Sequence, residues 1–151
     1  MMPVCEVETE VFRSAAEVLS LVRGFEFCTL TRAEWTHRAH LTVALWYCLR
    51  HPFAEAKSLV RDGIRKYNAA HGIAQTPTGG YHETMTLFWL RIVRKYLTEV
   101  SGERCSLATL ANGLVERYAD KSLPFEYYTR ALIFSSEARA VWVEPDLKTL
   151  E

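Results

Sequence analysis

Apolar residues recur at helical intervals along nearly the whole of this chain, which predicts an all-α fold: a single compact bundle of about six to seven helices over residues 1–151. Two further observations point the same way. Ser14 and Glu17, and again Thr31 and Glu34, have the spacing of a capping box. Pro52, Gly72, the Gly79-Gly80 pair and Pro124 interrupt the periodic runs where helices must stop or start.

The first helix is "SAAEVLSLVRG", with Val18, Leu19 and Val22 on one side and Gly24 as its stop. "FEFCTL" follows and reads as an extended connector, because no other segment offers it a strand partner. The Thr31–Glu34 box then opens a second helix, which runs to about Arg50 since Pro52 disfavours helical geometry at His51. Pro52 suits the first turn of a third helix, where its missing N–H is not needed. That helix aligns Phe53, Ala56, Val60, Ile64 and Tyr67 and ends at Gly72. Gly63 in its middle costs about 1 kcal/mol relative to alanine, so a close helix crossing is expected there.

"IAQTPTGG" is a loop, and "YHETMTLFWLRIVRKYLTEVSG" is the fourth helix, about five turns long. A fifth helix follows Ser106 through "LATLANGLVERYA". "DKSLP" breaks the chain before a sixth, "PFEYYTRALIF". Ser135 or Ser136 caps a last short helix, "EARAVWV", which Pro145 prevents from continuing.

About half the residues are hydrophobic (49%) and a quarter charged (24%), the balance of a soluble globular protein. Eighteen basic and eighteen acidic side chains cancel, so neither nucleic acid nor a membrane surface is an expected partner. No run approaches the length of a membrane span. The acidic start "MMPVCEVETEVF" does not resemble a secretion signal. Cys5, Cys28, Cys48 and Cys105 form no C-x-x-C pair, and free thiols in a reducing, cytoplasmic compartment are expected. G-x-S-x-G, P-loop and dinucleotide fingerprints are absent, which argues against those chemistries.

The chemistry-bearing stretch is "EWTHRAHLTVALWYC". At helical spacing Ala33, His37, His40, Leu41, Ala44 and Cys48 share one broad stripe, with Trp35 at its border. The small Ala33 and Ala44 leave room before the imidazoles. On the fourth helix His82, Met85, Thr86, Trp89 and Val93 form a comparable stripe. If these helices are neighbours, His37, His40 and His82 converge as three imidazole ligands of a divalent metal, zinc or iron, with an open position for water. Glu83 would be the catalytic acid/base or the carboxylate that orients an imidazole. Trp35, Asn68, Tyr81 and Trp89 would bind a small-molecule ligand.

The alternatives are a metal-free pocket for an organic molecule, and a structural or interaction protein, as a homodimer through an apolar helix face. A di-iron carboxylate bundle is disfavoured, since the chain contains no Glu-x-x-His. His71, beside Asn68, suits the polar end of its helix. "TPTGG" reads as a flexible turn and, if mobile, a lid over His82. Cys48 near His51 reads as a small buried hydrophobe rather than a nucleophile.

"W-T-H-R-A-H-L", "G-I-R-K-Y-N-A-A-H-G", "G-G-Y-H-E-T-M-T" and "S-S-E-A-R-A-V-W-V-E-P-D-L" together resemble a family of small uncharacterised bacterial all-helical proteins, over about Phe25 to Leu147. The resemblance implies a bacterial-type soluble single domain and no activity. It implies signature positions at Trp35, His37, His40, Asn68, Tyr81, His82, Glu83 and Thr84.

Overall fold

A computed structural model describes residues 11–101 and 105–150 of the chain. Seven α-helices and one 3-10 turn follow in order: α1 (Ala15–Glu26), α2 (His37–Arg50), α3 (Phe53–Ala70), α4 (Glu83–Glu99), α5 (Leu107–Arg117), the 3-10 turn (Leu123–Glu126), α6 (Arg130–Ile133) and α7 (Ser136–Ala140). The fold is all-α. Among the described residues no helix is long and apolar enough to cross a membrane.

α2 is the axis of the bundle. It packs against α1, α3, α4 and α5, and Leu41, Thr42, Val43, Ala44 and Leu45 are all buried in consecutive positions. Five neighbours along a helix point in every direction, so burial of all five requires partners all round. Thr42 tolerates this because its hydroxyl donates to the Arg38 carbonyl one turn back (2.8 Å). A second apolar cluster, built on Phe88, Ile92, Tyr128 and Ile133, lies on the far side of α4; Trp89, Tyr118 and Trp142 join it to the first.

Several boundaries differ from those read in the sequence, each for a local reason. α1 runs past Gly24 to Glu26. A Cβ on Gly24 would stand 2.8 Å from Leu30, so this glycine admits a close contact rather than ending the helix. The left-handed residue after α1 is Cys28, with φ 59°. The Thr31–Glu34 box forms, with the Thr31 N–H donating to Glu34 Oε1 (2.9 Å) and the Glu34 N–H to Thr31 Oγ1 (3.2 Å). It closes only a single turn. Thr36 caps α2 by accepting from the Ala39 N–H (3.2 Å), so Ala33 and Trp35 precede the helix that carries the histidines.

The expected sixth helix is divided. Asp146 accepts from the N–H (2.8 Å) and hydroxyl (2.7 Å) of Thr129, and the Leu147 N–H donates to the Tyr127 carbonyl (2.8 Å). This ties residues 146 and 147 to the break between the 3-10 turn and α6. α7 stops at Ala140, not Val143, because Val141 and Val143 leave helical geometry to bond Thr84.

Cys28 and Cys48 are free thiols, and Cys105 is disulfide-bonded, which corrects the expectation of free cysteines throughout. Cys5 and the acidic N-terminal stretch up to residue 10 lie outside the described residues.

The crossing at Gly63 is occupied by Phe25 of α1, whose ring would stand 2.6 Å from an added Cβ. Phe25 is buried and stacked on Trp35 (4.7 Å), so it has nowhere to retreat. Gly63→Ala is therefore expected to destabilise the fold by about 1–3 kcal/mol through overpacking, despite the helix propensity of alanine, and a urea denaturation midpoint measures it.

Candidate functional site

A cavity of about 600 Å³ lies between α2, α3 and α4. Trp35 reaches it from the turn before α2, His37 and His40 from the first turns of α2, Asn68 from the end of α3, Tyr81 and His82 from just before α4, and Trp89 from its second turn. Its walls are Val43, Ala44, Val60, Ile64 and Leu90. Glu83 is not part of the lining.

The three imidazoles are held separately, and each bond fixes which nitrogen carries a proton. His40 donates from Nδ1 to the Thr36 carbonyl on its own helix (2.7 Å), because a carbonyl can only accept. Nε2 keeps a lone pair with no hydrogen-bond partner among the described residues. The ring stacks on Trp35, with centroids 3.7 Å apart. Burial pushes its pKa down to about 4, with a smaller push from His37 and an opposing pull from the Thr36 carbonyl. It is therefore neutral at pH 7. His37 donates from Nε2 to the Tyr118 carbonyl (2.9 Å), leaving Nδ1 as an acceptor, and meets Trp89 edge-on at 4.6 Å. Burial holds its pKa below the ordinary histidine range, against the pull of that carbonyl.

His82 is the N-cap of α4 and not a first-turn residue. Its Nδ1 accepts from the Met85 N–H (3.0 Å) and its Nε2–H donates to the Ile133 carbonyl (2.6 Å). Both nitrogens are used, and no lone pair remains for a metal. Among the described residues no group of three His, Cys, Asp or Glu side chains is arranged to hold a metal ion. His37, His40 and His82 line one hollow but do not form the three-ligand set read from their spacing.

Glu83 is clamped from two sides. Arg61 of α3 donates from Nε to Oε1 (2.9 Å) and from its terminal nitrogen to Oε2 (2.6 Å), and the Tyr81 hydroxyl donates to Oε1 (2.6 Å). Burial raises its pKa, but the bonds from Arg61 and Tyr81 outweigh this and the net shift is downward. A carboxylate so engaged joins α3 to α4; it is poorly placed to move protons in the cavity. Thr84 completes the series. Fully buried, it donates from Oγ1 to the Val141 carbonyl (2.8 Å) and accepts from the Val143 N–H (3.1 Å).

The loop before α4 is stapled. Gln75 accepts from the Tyr81 N–H (2.8 Å) and donates to the Tyr81 carbonyl (3.0 Å), while Thr76 and Gly79 form an antiparallel bridge. Gly80, at φ 87°, has no room for a side chain, since a Cβ would sit 2.9 Å from the Ala74 carbonyl oxygen. A turn fixed in this way is an unsuitable lid. His71 donates to the Cys28 carbonyl (3.0 Å) and stacks on Tyr67 outside the cavity. Cys48 lines a separate hollow of about 330 Å³ beside Phe53 and Arg94. Burial pushes its thiol up to about 11, so it is protonated and a poor nucleophile.

Sequence spacing missed four contributors: Gln75, Arg61, and the cations Arg32 and Lys121, which also line the cavity. Each acts across a gap of sequence that no periodic pattern links. No family model, curated protein or solved structure matches this chain.

The histidines set a pH dependence. Unfolded, each titrates near 6.5; folded, His37, His40 and His82 all lie lower. Their neutral forms favour the folded state, so this contribution is complete above about pH 6.5 and is lost as pH falls toward 4. The unfolding temperature should drop through that window, and His40→Gln should flatten the slope. Thr84→Val removes the part-buried bonds to the Val141 carbonyl and from the Val143 N–H and is expected to cost about 1–3 kcal/mol, read by chemical denaturation.

Proposed function

We propose that this chain is a metal-free small-molecule binding protein whose ligand occupies the cavity between α2, α3 and α4. The observation that carries the reading is a set of polar groups facing an apolar hollow without protein partners. Polar side chains that face a pocket and are not used by the fold are the groups that orient a ligand. Here His37 Nδ1, His40 Nε2, the Asn68 amide and the indole N–H groups of Trp35 and Trp89 have no hydrogen-bond partner among the described residues, although all five side chains line one cavity. A ligand that filled it would satisfy them.

The volume, about 600 Å³, falls within the usual range for drug-sized molecules. Val60, Ile64 and Leu90 supply apolar contact, and the two neutral imidazoles supply acceptors for a ligand hydroxyl or amine. The metal-dependent alternative rests on the same histidines. Its weakness is chemical: His82 has no nitrogen to offer, and Glu83 is already paired with Arg61.

Mass spectrometry of the protein purified without chelators or a histidine tag, under native and then denaturing conditions, tests the reading. An organic compound should appear in the native complex and be released on unfolding. Val60→Trp, which fills the cavity, should abolish its retention while circular dichroism remains helical. Stoichiometric zinc or iron that disappears in His37→Ala and His40→Ala would overturn it.

A further inference from the structure

Two of the cavity's lining residues are cations that nothing in the fold accounts for. Arg32 lies in the turn before α2, and Lys121 follows α5, so separate segments bring them to the same hollow. Both are exposed, which places them at the mouth, whereas Val60, Leu90 and Ala44 lie deeper. Neither has an ion pair or hydrogen bond among the described residues. The lining contains no carboxylate at all. We infer that the ligand is an organic acid, with its carboxylate at the mouth between Arg32 and Lys121 and its apolar body against the inner walls. The inference rests on the binding role proposed above and adds the charge and orientation of the ligand.

The acidic side chains nearest these cations in sequence, Glu34 and Asp120, are ionised but do not line the cavity. Glu34 accepts from the N–H and hydroxyl of Thr31 (2.9 and 3.1 Å), Asp120 from the N–H and hydroxyl of Ser122 (2.9 and 2.6 Å), and Glu83 from Arg61 and Tyr81. A third cation lies behind the rim. Arg139 donates to the carbonyl of Gly80, itself a lining residue, and its buried Nε–H has no acceptor. The first turn of α2 carries no acidic residue either, so the positive end of that helix is not offset there. The chain as a whole is neutral, with eighteen charges of each sign, and the positive bias is confined to the lining itself. A cavity with a positive mouth, neutral imidazole acceptors and apolar walls suits an amphipathic anion. A cationic ligand would find no carboxylate in the lining to meet it.

Matched pairs separate this inference from the binding role beneath it. The folded protein is titrated with 2-naphthoate and 2-naphthamide, and with decanoate and decanamide, followed by tryptophan emission and saturation-transfer NMR. Each acid should bind at least tenfold more tightly than its amide. The Arg32→Gln/Lys121→Gln variant should lower acid affinity about tenfold, which corresponds to 1.4 kcal/mol, and leave the amides unchanged; 0.5 M salt should act in the same direction. Equal affinity for acid and amide, both lost in Val60→Trp, would overturn the anion assignment and leave the binding role standing. Failure of all four compounds to bind would overturn both.

Discussion

The start of α4 is the joint on which the rest of this molecule turns. Four consecutive residues, Tyr81 to Thr84, are each bonded to a different part of the chain. Tyr81 is gripped through its backbone by Gln75 and lends its hydroxyl to Glu83; His82 reaches the Ile133 carbonyl; Glu83 holds Arg61 of α3; Thr84 takes both Val141 and Val143. Each contact is a part-buried hydrogen bond, and leaving such a bond unmade costs more than a made one contributes. Shifting α4 would therefore break several at once. This fixes one wall of the cavity and explains why a segment rich in catalytic residue types performs structural tasks.

Histidine shows the same division within one residue type. Imidazole has two nitrogens, and the number left over after the fold has used it decides what else it can do. His82 has none. His37 and His40 each spend one proton on a backbone carbonyl and retain a lone pair. The bond to Thr36 also sets the tautomer of His40, and the stack on Trp35 sets its plane. Two oriented acceptors and one clasp thus come from three side chains that look alike in the sequence.

Much of the fold was legible because helices leave a periodic trace. The five long helices follow from apolar spacing and from caps, and Gly63 marks a close crossing because only a missing Cβ admits the Phe25 ring. The C-terminal part was not legible in detail. The breaks before α6 and after α7 are made by Asp146 and Thr84, which act from 17 and 57 residues away. The Thr31–Glu34 box shows a subtler limit: its bonds form as the pattern requires, yet the helix begins later, at Thr36. As for the site, periodicity brought His37, His40 and Asn68 near a common hollow with Trp89. It could not reveal how many nitrogens would be free, nor that Arg32 and Lys121 would arrive without partners, since those facts depend on neighbours remote in sequence.

The bonds from His82 to Ile133 and from Thr84 to Val141 span 51 and 57 residues, and this separation bears on how the protein is made. The inner walls belong to segments that can pack together early, as α2, α3 and α4 emerge in succession from synthesis. Their clasp cannot close until residues 133–143 have also appeared. A nascent or truncated polypeptide would present the Thr84 hydroxyl and the His82 ring without mates in a half-built hollow. Contacts of such long range are slow to form, so the start of α4 is locked only after residues 133–143 have been made.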